Sequence, residues 1–262
     1  MPLFLTVNGL TFHCKFDGIE NGFPLVFINS LGTDLRIWDG LVPHFTDRYW
    51  LIRYDKRGHG LSDCPAAPYS IRDHAQDLSS LLDLLEIEEI NLVGISVGGM
   101  IAQDFAANWP QRVRKLVLCD TAAAIGTAAA WNERINTLRQ NGMEYLREAI
   151  LARWFAPTFM DQKPAEYRGY GNMLVQTPVE GYTGTCEAIR DADLTETTRD
   201  IQLPALILCG SEDISTPPRL ARSLLNLIPE ADYAEIPGAA HLPCIELPQA
   251  MAQLIDNFLR VS

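Results

Sequence analysis

The chain has 262 residues, 47% hydrophobic and 21% charged, enough apolar content at this length to bury a sizeable core in one domain with an insertion. Its formal net charge of -12 argues against a nucleic-acid or anionic-membrane surface, since both need clustered Lys and Arg, and any anionic substrate has to be met by a local arginine. Cys14, Cys64, Cys119, Cys186, Cys209 and Cys244 stand singly, without a Cys-x-x-Cys pair or a Cys/His cluster at ligand spacing, so no metal site is expected and they read as free thiols of a reducing compartment.

No run is long and apolar enough to span a membrane, and Met1-Pro2-Leu3-Phe4-Leu5 lacks the charged start and apolar core of a signal peptide, so a cytoplasmic location is expected. Residues 3–7 and 10–16 are predicted strands around Asn8-Gly9, the strongest short-range hairpin signal, with His13 as a plain strand residue. Residues 24–28 form a continuous apolar run of the kind buried on both faces in a parallel sheet, and they empty into Asn29-Ser30-Leu31-Gly32-Thr33-Asp34. Strand 50–54 leads into Asp55-Lys56-Arg57-Gly58-His59-Gly60-Leu61-Ser62-Asp63, a glycine-punctuated turn in which Arg57 and His59 read as structural. Ser70 then caps an amphipathic helix with Leu78, Leu81, Leu82 and Leu85 at helical spacing.

That helix feeds Ile90-Asn91-Leu92-Val93-Gly94-Ile95-Ser96-Val97-Gly98-Gly99-Met100, which reads as strand, tight corner and helix. Side chains flanking the serine of so tight a turn would clash with the adjoining strand and helix, so Gly94 and Gly98 leave the backbone room to reverse. Ser96 is then presented at a helix start, where partial positive charge collects. Strand 115–119 ends in Asp120, and strands alternating with helical patterns imply a mostly parallel sheet covered on both faces. The alternation lapses over 121–200, where helical patterns at 131–140, 143–155, 165–175 and 180–191 predict a helical lid inserted between core segments 1–120 and 201–262. The sheet resumes at 205–209, followed by Gly210-Ser211-Glu212-Asp213-Ile214-Ser215-Thr216-Pro217; a last strand at 233–236 leads to Gly238-Ala239-Ala240-His241, and helix 248–259 follows.

Serine is a poor nucleophile at its free pKa and needs a base, usually an imidazole oriented by a buried carboxylate. His241, in a loop after a strand, suits that task, whereas His44 and His74 lie away from strand ends. The order Ser, acid, His favours Asp213 as the acid over Asp120, with Glu212 a third candidate. Two backbone donors for a developing oxyanion are expected from Val97 N–H, just after the nucleophile, and from Leu31 N–H in the loop after strand 24–28.

The elbow Gly94-Ile95-Ser96-Val97-Gly98, the 55–62 turn, Asp213 and His241 together resemble the α/β-hydrolase fold family across nearly the whole chain. The resemblance implies an α/β class fold, a mostly parallel eight-stranded sheet flanked by helices with an inserted helical lid. Within that family, Asn29-Ser30-Leu31-Gly32-Thr33-Asp34-Leu35-Arg36-Ile37-Trp38, residues 94–103 and 210–217, and Cys186-Glu187-Ala188-Ile189-Arg190-Asp191-Ala192-Asp193 are most similar to 3-oxoadipate enol-lactonases of the β-ketoadipate pathway. Asn29-Ser30 stands where many hydrolases of the family carry His-Gly, a departure shared by the enol-lactonase group. The resemblance implies a carboxylic ester hydrolase that needs neither metal nor organic cofactor and takes a small lactone or ester bearing a carboxylate. Arg134, one turn beyond Trp131, is placed to meet that carboxylate, with Trp131 and Trp154 walling the ring. The competing readings are a general carboxylesterase, a hydrolase of carbon–carbon bonds in ring-fission products, and a receptor that keeps the same three residues as a ligand pocket.

Overall fold

Two strands turn on Asn8 and Gly9 at φ of 53° and 77°, the positive values that a tight twisted hairpin demands of both central residues. This hairpin starts the sheet of the computed structural model, which describes residues 2–260. The strands are β1 (Pro2–Val7), β2 (Leu10–Gly18), β3 (Phe23–Ile28), β4 (Tyr49–Tyr54), β5 (Ile90–Ile95), β6 (Val113–Cys119), β7 (Ala205–Gly210) and β8 (Ala231–Ile236). They form one eight-stranded sheet in the order β1-β2-β4-β3-β5-β6-β7-β8. β1, β2 and β4 pair antiparallel, and every pairing from β4 through β3 to β8 is parallel.

Every residue of β5 and β7 is buried, which is why both read as unbroken apolar runs: helices cover both faces of a parallel sheet. α1 (Ile71–Leu84) starts at Ser70, whose Oγ accepts from Asp73 N–H at 3.1 Å while the Asp73 carboxylate accepts from Ser70 N–H at 2.8 Å. It packs along α2 (Val97–Asn108), the helix that follows the serine corner.

Between β6 and β7 lie α3 (Ala128–Asn141), α4 (Arg147–Trp154), α5 (Pro157–Gln162), α6 (Pro164–Gln176), α7 (Val179–Asp191) and α8 (Thr195–Thr198). The pattern expected at 143–155 divides into a 3-10 turn at Met143–Leu146 and α4. Prolines open both α5 and α6; α6 answers to the pattern expected at 165–175, while α5, only six residues long, falls between the expected patterns. α9 (Pro218–Arg222) joins β7 to β8, and α10 (Pro243–Glu246) and α11 (Pro248–Arg260) follow β8, with Met251, Ala252, Ile255 and Leu259 forming the buried stripe of α11.

β2 runs two residues beyond the expected end at Phe16, through Asp17 and Gly18. The ladder continues because Asp17 Oδ2 accepts from the buried Arg53 of β4 at 2.5 Å, so a charge that breaks the apolar pattern is satisfied across the sheet. The strand order also fixes where the chemistry sits. From β3 the chain moves outward to β4 on one side, and it returns to place β5 on the other, so the loops after β3 and β5 leave the sheet at a topological switch point.

The closest backbone approach at that point involves glycines. A Cβ on Gly98 would lie 2.2 Å from the Ile28 carbonyl oxygen, and one on Gly94 would lie 2.2 Å from the Gly98 carbonyl oxygen. Gly94→Ala is therefore expected to lower unfolding free energy by about 3 kcal/mol, at the upper end of ordinary overpacking, as read from urea denaturation followed by circular dichroism.

Candidate active site

Ser96 occupies the corner between β5 and α2 at φ 58° and ψ -121°, a strained backbone for a residue with a side chain. Its backbone is held on both sides: Ser96 N–H donates to Cys119 O at 2.9 Å, and Ser96 O accepts from Gly99 N–H at 2.9 Å and from Thr121 Oγ1 at 2.7 Å. The hydroxyl makes no helix-capping bond and faces a cavity instead.

The loop after β3 is equally fixed. Asn29 Nδ2 donates to Thr33 O, Thr33 Oγ1 donates to Ser30 O at 2.9 Å, and Gly32 N–H donates to His59 Nε2 at 3.0 Å. That last bond requires a lone pair on Nε2, so the His59 proton lies on Nδ1, 3.1 Å from Arg57 O. Burial holds His59 well below its ordinary pKa, and the Lys56 charge adds to the effect, so the ring is neutral. Arg57 in turn makes two hydrogen bonds to the Asp77 carboxylate, at 2.6 and 2.7 Å. Among the described residues, neither Leu31 N–H nor Val97 N–H donates to a protein acceptor.

His241 lies in the loop between β8 and α10, and its Nδ1 is 2.9 Å from Asp213 Oδ2. Asp213, in the turn after β7, also accepts from Thr216 Oγ1 at 2.6 Å, Ser215 N–H at 2.7 Å and Thr216 N–H at 3.2 Å. Burial alone would push its carboxyl up, but the charge and hydrogen bond of His241, with those of Thr216 and Ser215, prevail and hold it well below the usual range. Asp120 is fully buried, accepts from Gly210 N–H at 2.8 Å and is driven the other way, its carboxyl pushed well above the usual range by burial first and then by the Asp213 charge. The carboxylate in contact with His241 is thus Asp213, while Glu212 is exposed.

Ser96, His241, Leu31, Arg134, Trp131 and Trp154 all line one cavity of about 190 Å³ beneath α3 and α4. Asp213 stands behind His241, and Val97 contributes backbone from the first turn of α2. The Arg134 guanidinium rests 5.0 Å from the Trp131 ring centroid, and Trp131 is itself fixed by a 2.6 Å bond from Nε1 to Ile125 O.

Three lining groups escaped the sequence reading: Arg153, Tyr182 and Thr216. Arg153 precedes Trp154 in α4, a position that a search for a second cation near the tryptophan would have flagged. Burial and the nearby Arg134 charge both lower its pKa, and its Nη2 donates to Ile214 O at 3.4 Å. Arg134 and Arg153 thus both line the cavity, and among the described residues neither forms an ion pair. Such a site favours an anionic guest.

The family described as alpha/beta hydrolase fold matches residues 24–248. The 3-oxoadipate enol-lactonase 2 of Acinetobacter baylyi is 33% identical over 99% of both chains, and 3-oxoadipate enol-lactonase 1 of the same bacterium is 31% identical over 97% of this chain and 94% of that one. The solved enol-lactonase from Burkholderia xenovorans LB400 superposes with a TM-score of 0.97 at 36% identity, covering 99% of this chain and 100% of that one.

A buried carboxylate ties the histidine loop to the helices above it. Glu246 accepts from Ala240 N–H at 2.7 Å with one oxygen and from Ala156 N–H at 2.7 Å with the other, while Leu242 N–H donates to Trp154 O at 3.1 Å. Burial pushes the Glu246 carboxyl up from 4.5 to about 7, against the two N–H donors that favour its ionised form. Between those values the folded chain holds a proton that the unfolded chain has lost, so this group makes stability fall as pH rises from 4.5 to about 7 and adds no slope above it. Thermal unfolding across that range is expected to show a shallower decline for Glu246→Gln, which carries no titrating proton, than for the native chain.

Proposed function

The chain belongs to the α/β-hydrolase fold family, and on that premise we propose that it is a serine hydrolase that opens a small enol-lactone carrying a free carboxylate, 3-oxoadipate enol-lactone being the substrate the relatives suggest. The observation that carries the reading is the single cavity shared by Ser96, His241 and two guanidiniums without ion-pair partners among the described residues. Arg134 and Arg153 take the carboxylate, and Trp131 and Trp154 wall the ring, under α3 and α4 acting as a lid.

The Ser96 oxygen attacks the lactone carbonyl as His241 accepts its proton, with Asp213 holding the imidazole in the right tautomer and stabilising its charge. The tetrahedral oxyanion is met by Leu31 N–H and Val97 N–H. Collapse breaks the ring C–O bond, and the departing enol oxygen takes the proton from His241. An enol leaves more readily than an alkyl alcohol, and its conversion to the ketone draws the reaction forward. A water molecule, deprotonated by His241, then attacks the acyl-enzyme; Ser96 recovers a proton and the product carboxylate departs.

The deciding experiment compares purified protein on the enol-lactone, on p-nitrophenyl acetate and on a ring-fission dienoate. Preference for the lactone supports the reading, preference for the acetate or the dienoate replaces it with an esterase or a carbon–carbon hydrolase, and ligand binding without any turnover replaces it with a receptor. Ser96→Ala is expected to lower kcat by at least about 10⁴-fold while product binding persists. Arg134→Gln should raise KM by about 10- to 100-fold with a smaller change in kcat, as steady-state kinetics on the lactone would register.

A further inference from the structure

The 29–34 loop is gripped from behind by a group that the reaction above leaves unused. Lys56, which follows Asp55 in the turn after β4, is 1% exposed, and its Nζ donates a 2.6 Å hydrogen bond to the Ser30 carbonyl oxygen. That oxygen accepts a second bond, from Thr33 Oγ1 at 2.9 Å. Lys56 forms no ion pair among the described residues. Burying an ammonium with a lone carbonyl for a partner is unfavourable, and an apolar side chain of the same length would fill the space without that desolvation penalty. Packing by itself gives no reason for a lysine here.

The chemistry of the peptide group supplies one. The Ser30 carbonyl and the Leu31 N–H belong to the same planar unit, and its trans geometry points them in opposite directions. Fixing the oxygen therefore fixes the direction of the N–H. A cationic donor on the oxygen also draws electron density along the amide, so the N–H at the far end becomes a stronger donor. Leu31 lines the cavity beside Ser96 and Ser30, and its N–H has no protein acceptor among the described residues.

We propose that Lys56 is a positioning residue for acyl transfer: its ammonium, bound to the Ser30 carbonyl, aims and polarises the Leu31 N–H toward the oxyanion that forms on the substrate carbonyl. This rests on the serine-hydrolase reading given above. Burial lowers the Lys56 ammonium to about 7 while Asp55 and Asp34 oppose the fall, so the cationic form and its polarising effect are complete only below that pH, and above it the neutral amine still holds the Ser30 carbonyl. His59 and His74, both buried and held well below their ordinary pKa, add no competing positive charge. Arg57, the remaining cation of the turn, is paired with Asp77.

The test compares the full chain with Lys56→Met, which keeps length but removes donor and charge, and Lys56→Gln, which keeps a neutral donor. Three quantities are read: kcat and KM on the lactone or p-nitrophenyl acetate, inhibition by phenylboronic acid, whose tetrahedral adduct on a serine hydroxyl mimics the oxyanion, and thermal unfolding. For Lys56→Met, kcat is expected to fall by about 10- to 100-fold and boronate inhibition to weaken by a similar factor, with KM within about threefold and product binding unchanged. Lys56→Gln should fall between the two. A folded Lys56→Met variant that matches the native chain in kcat and boronate affinity overturns the proposal, as does a loss spread equally over kcat, product binding and folded fraction. If Lys56→Met does not fold, Lys56→Gln decides by the same criteria. Should the native chain show neither hydrolysis nor boronate binding, the serine-hydrolase reading falls and this one with it, an outcome distinct from a failure of Lys56 alone.

Discussion

The start of α2 can lie against the end of β3 only because nothing projects from Gly98 toward the Ile28 carbonyl. That contact sets the distance between the corner after β5 and the loop after β3, and so the distance between Ser96 and the Leu31 N–H. Holding Ser96 at positive φ costs on the order of 1–3 kcal/mol, and it persists because its backbone is over-determined by Cys119, Gly99 and Thr121. The strain is thus carried by hydrogen bonds from β6, the buried loop just after it and α2, segments that are buried for other reasons. The remaining groups of the site are arranged around this fixed pair of loops.

Charge is distributed against the trend of the molecule. The chain carries a net charge of -12, yet its cavity presents Arg134 and Arg153 with no carboxylate bound to either among the described residues. Two nearby acids show how finely position decides: Asp213 accepts bonds from His241, Thr216 and Ser215 and is held well below the usual carboxylate range, while Asp120, fully buried beside it with one backbone donor, is pushed well above it. Asp120, Cys209 and Asp213 bring donor atoms within 4.8 Å of one another, and in that cluster the Asp213 carboxylate is already engaged by His241 and Thr216 and one Asp120 oxygen by Gly210 N–H.

Features encoded within a few residues were legible from the amino-acid string: the Asn8-Gly9 turn, the Ser70 cap, and the Gly-x-Ser-x-Gly corner with its strand and helix. Spacing could rank Asp213 over Asp120 by chain order, but which of them touches His241 depends on how two turns from different strands meet. Arg153 and Lys56 were not singled out, because a cation in a helix or a turn looks the same whether it faces water or a cavity. α5 and α8 have no counterpart in the sequence pattern for a different reason, since helices of six and four residues are too short to display a helical period.

The Glu246 bridge limits how the molecule can breathe. Because Ala156 and Trp154 are bonded to the same segment that carries His241, the C-terminal end of α4 cannot swing outward without dragging the imidazole from its seat. α3 has no such tether to that segment among the described bonds and packs instead on α7. The two walls of the chamber are thereby anchored to different parts of the chain: Trp154 shares its footing with the loop that carries His241, while α3 is pinned to α7 through Arg139 and Glu187 at 2.8 Å.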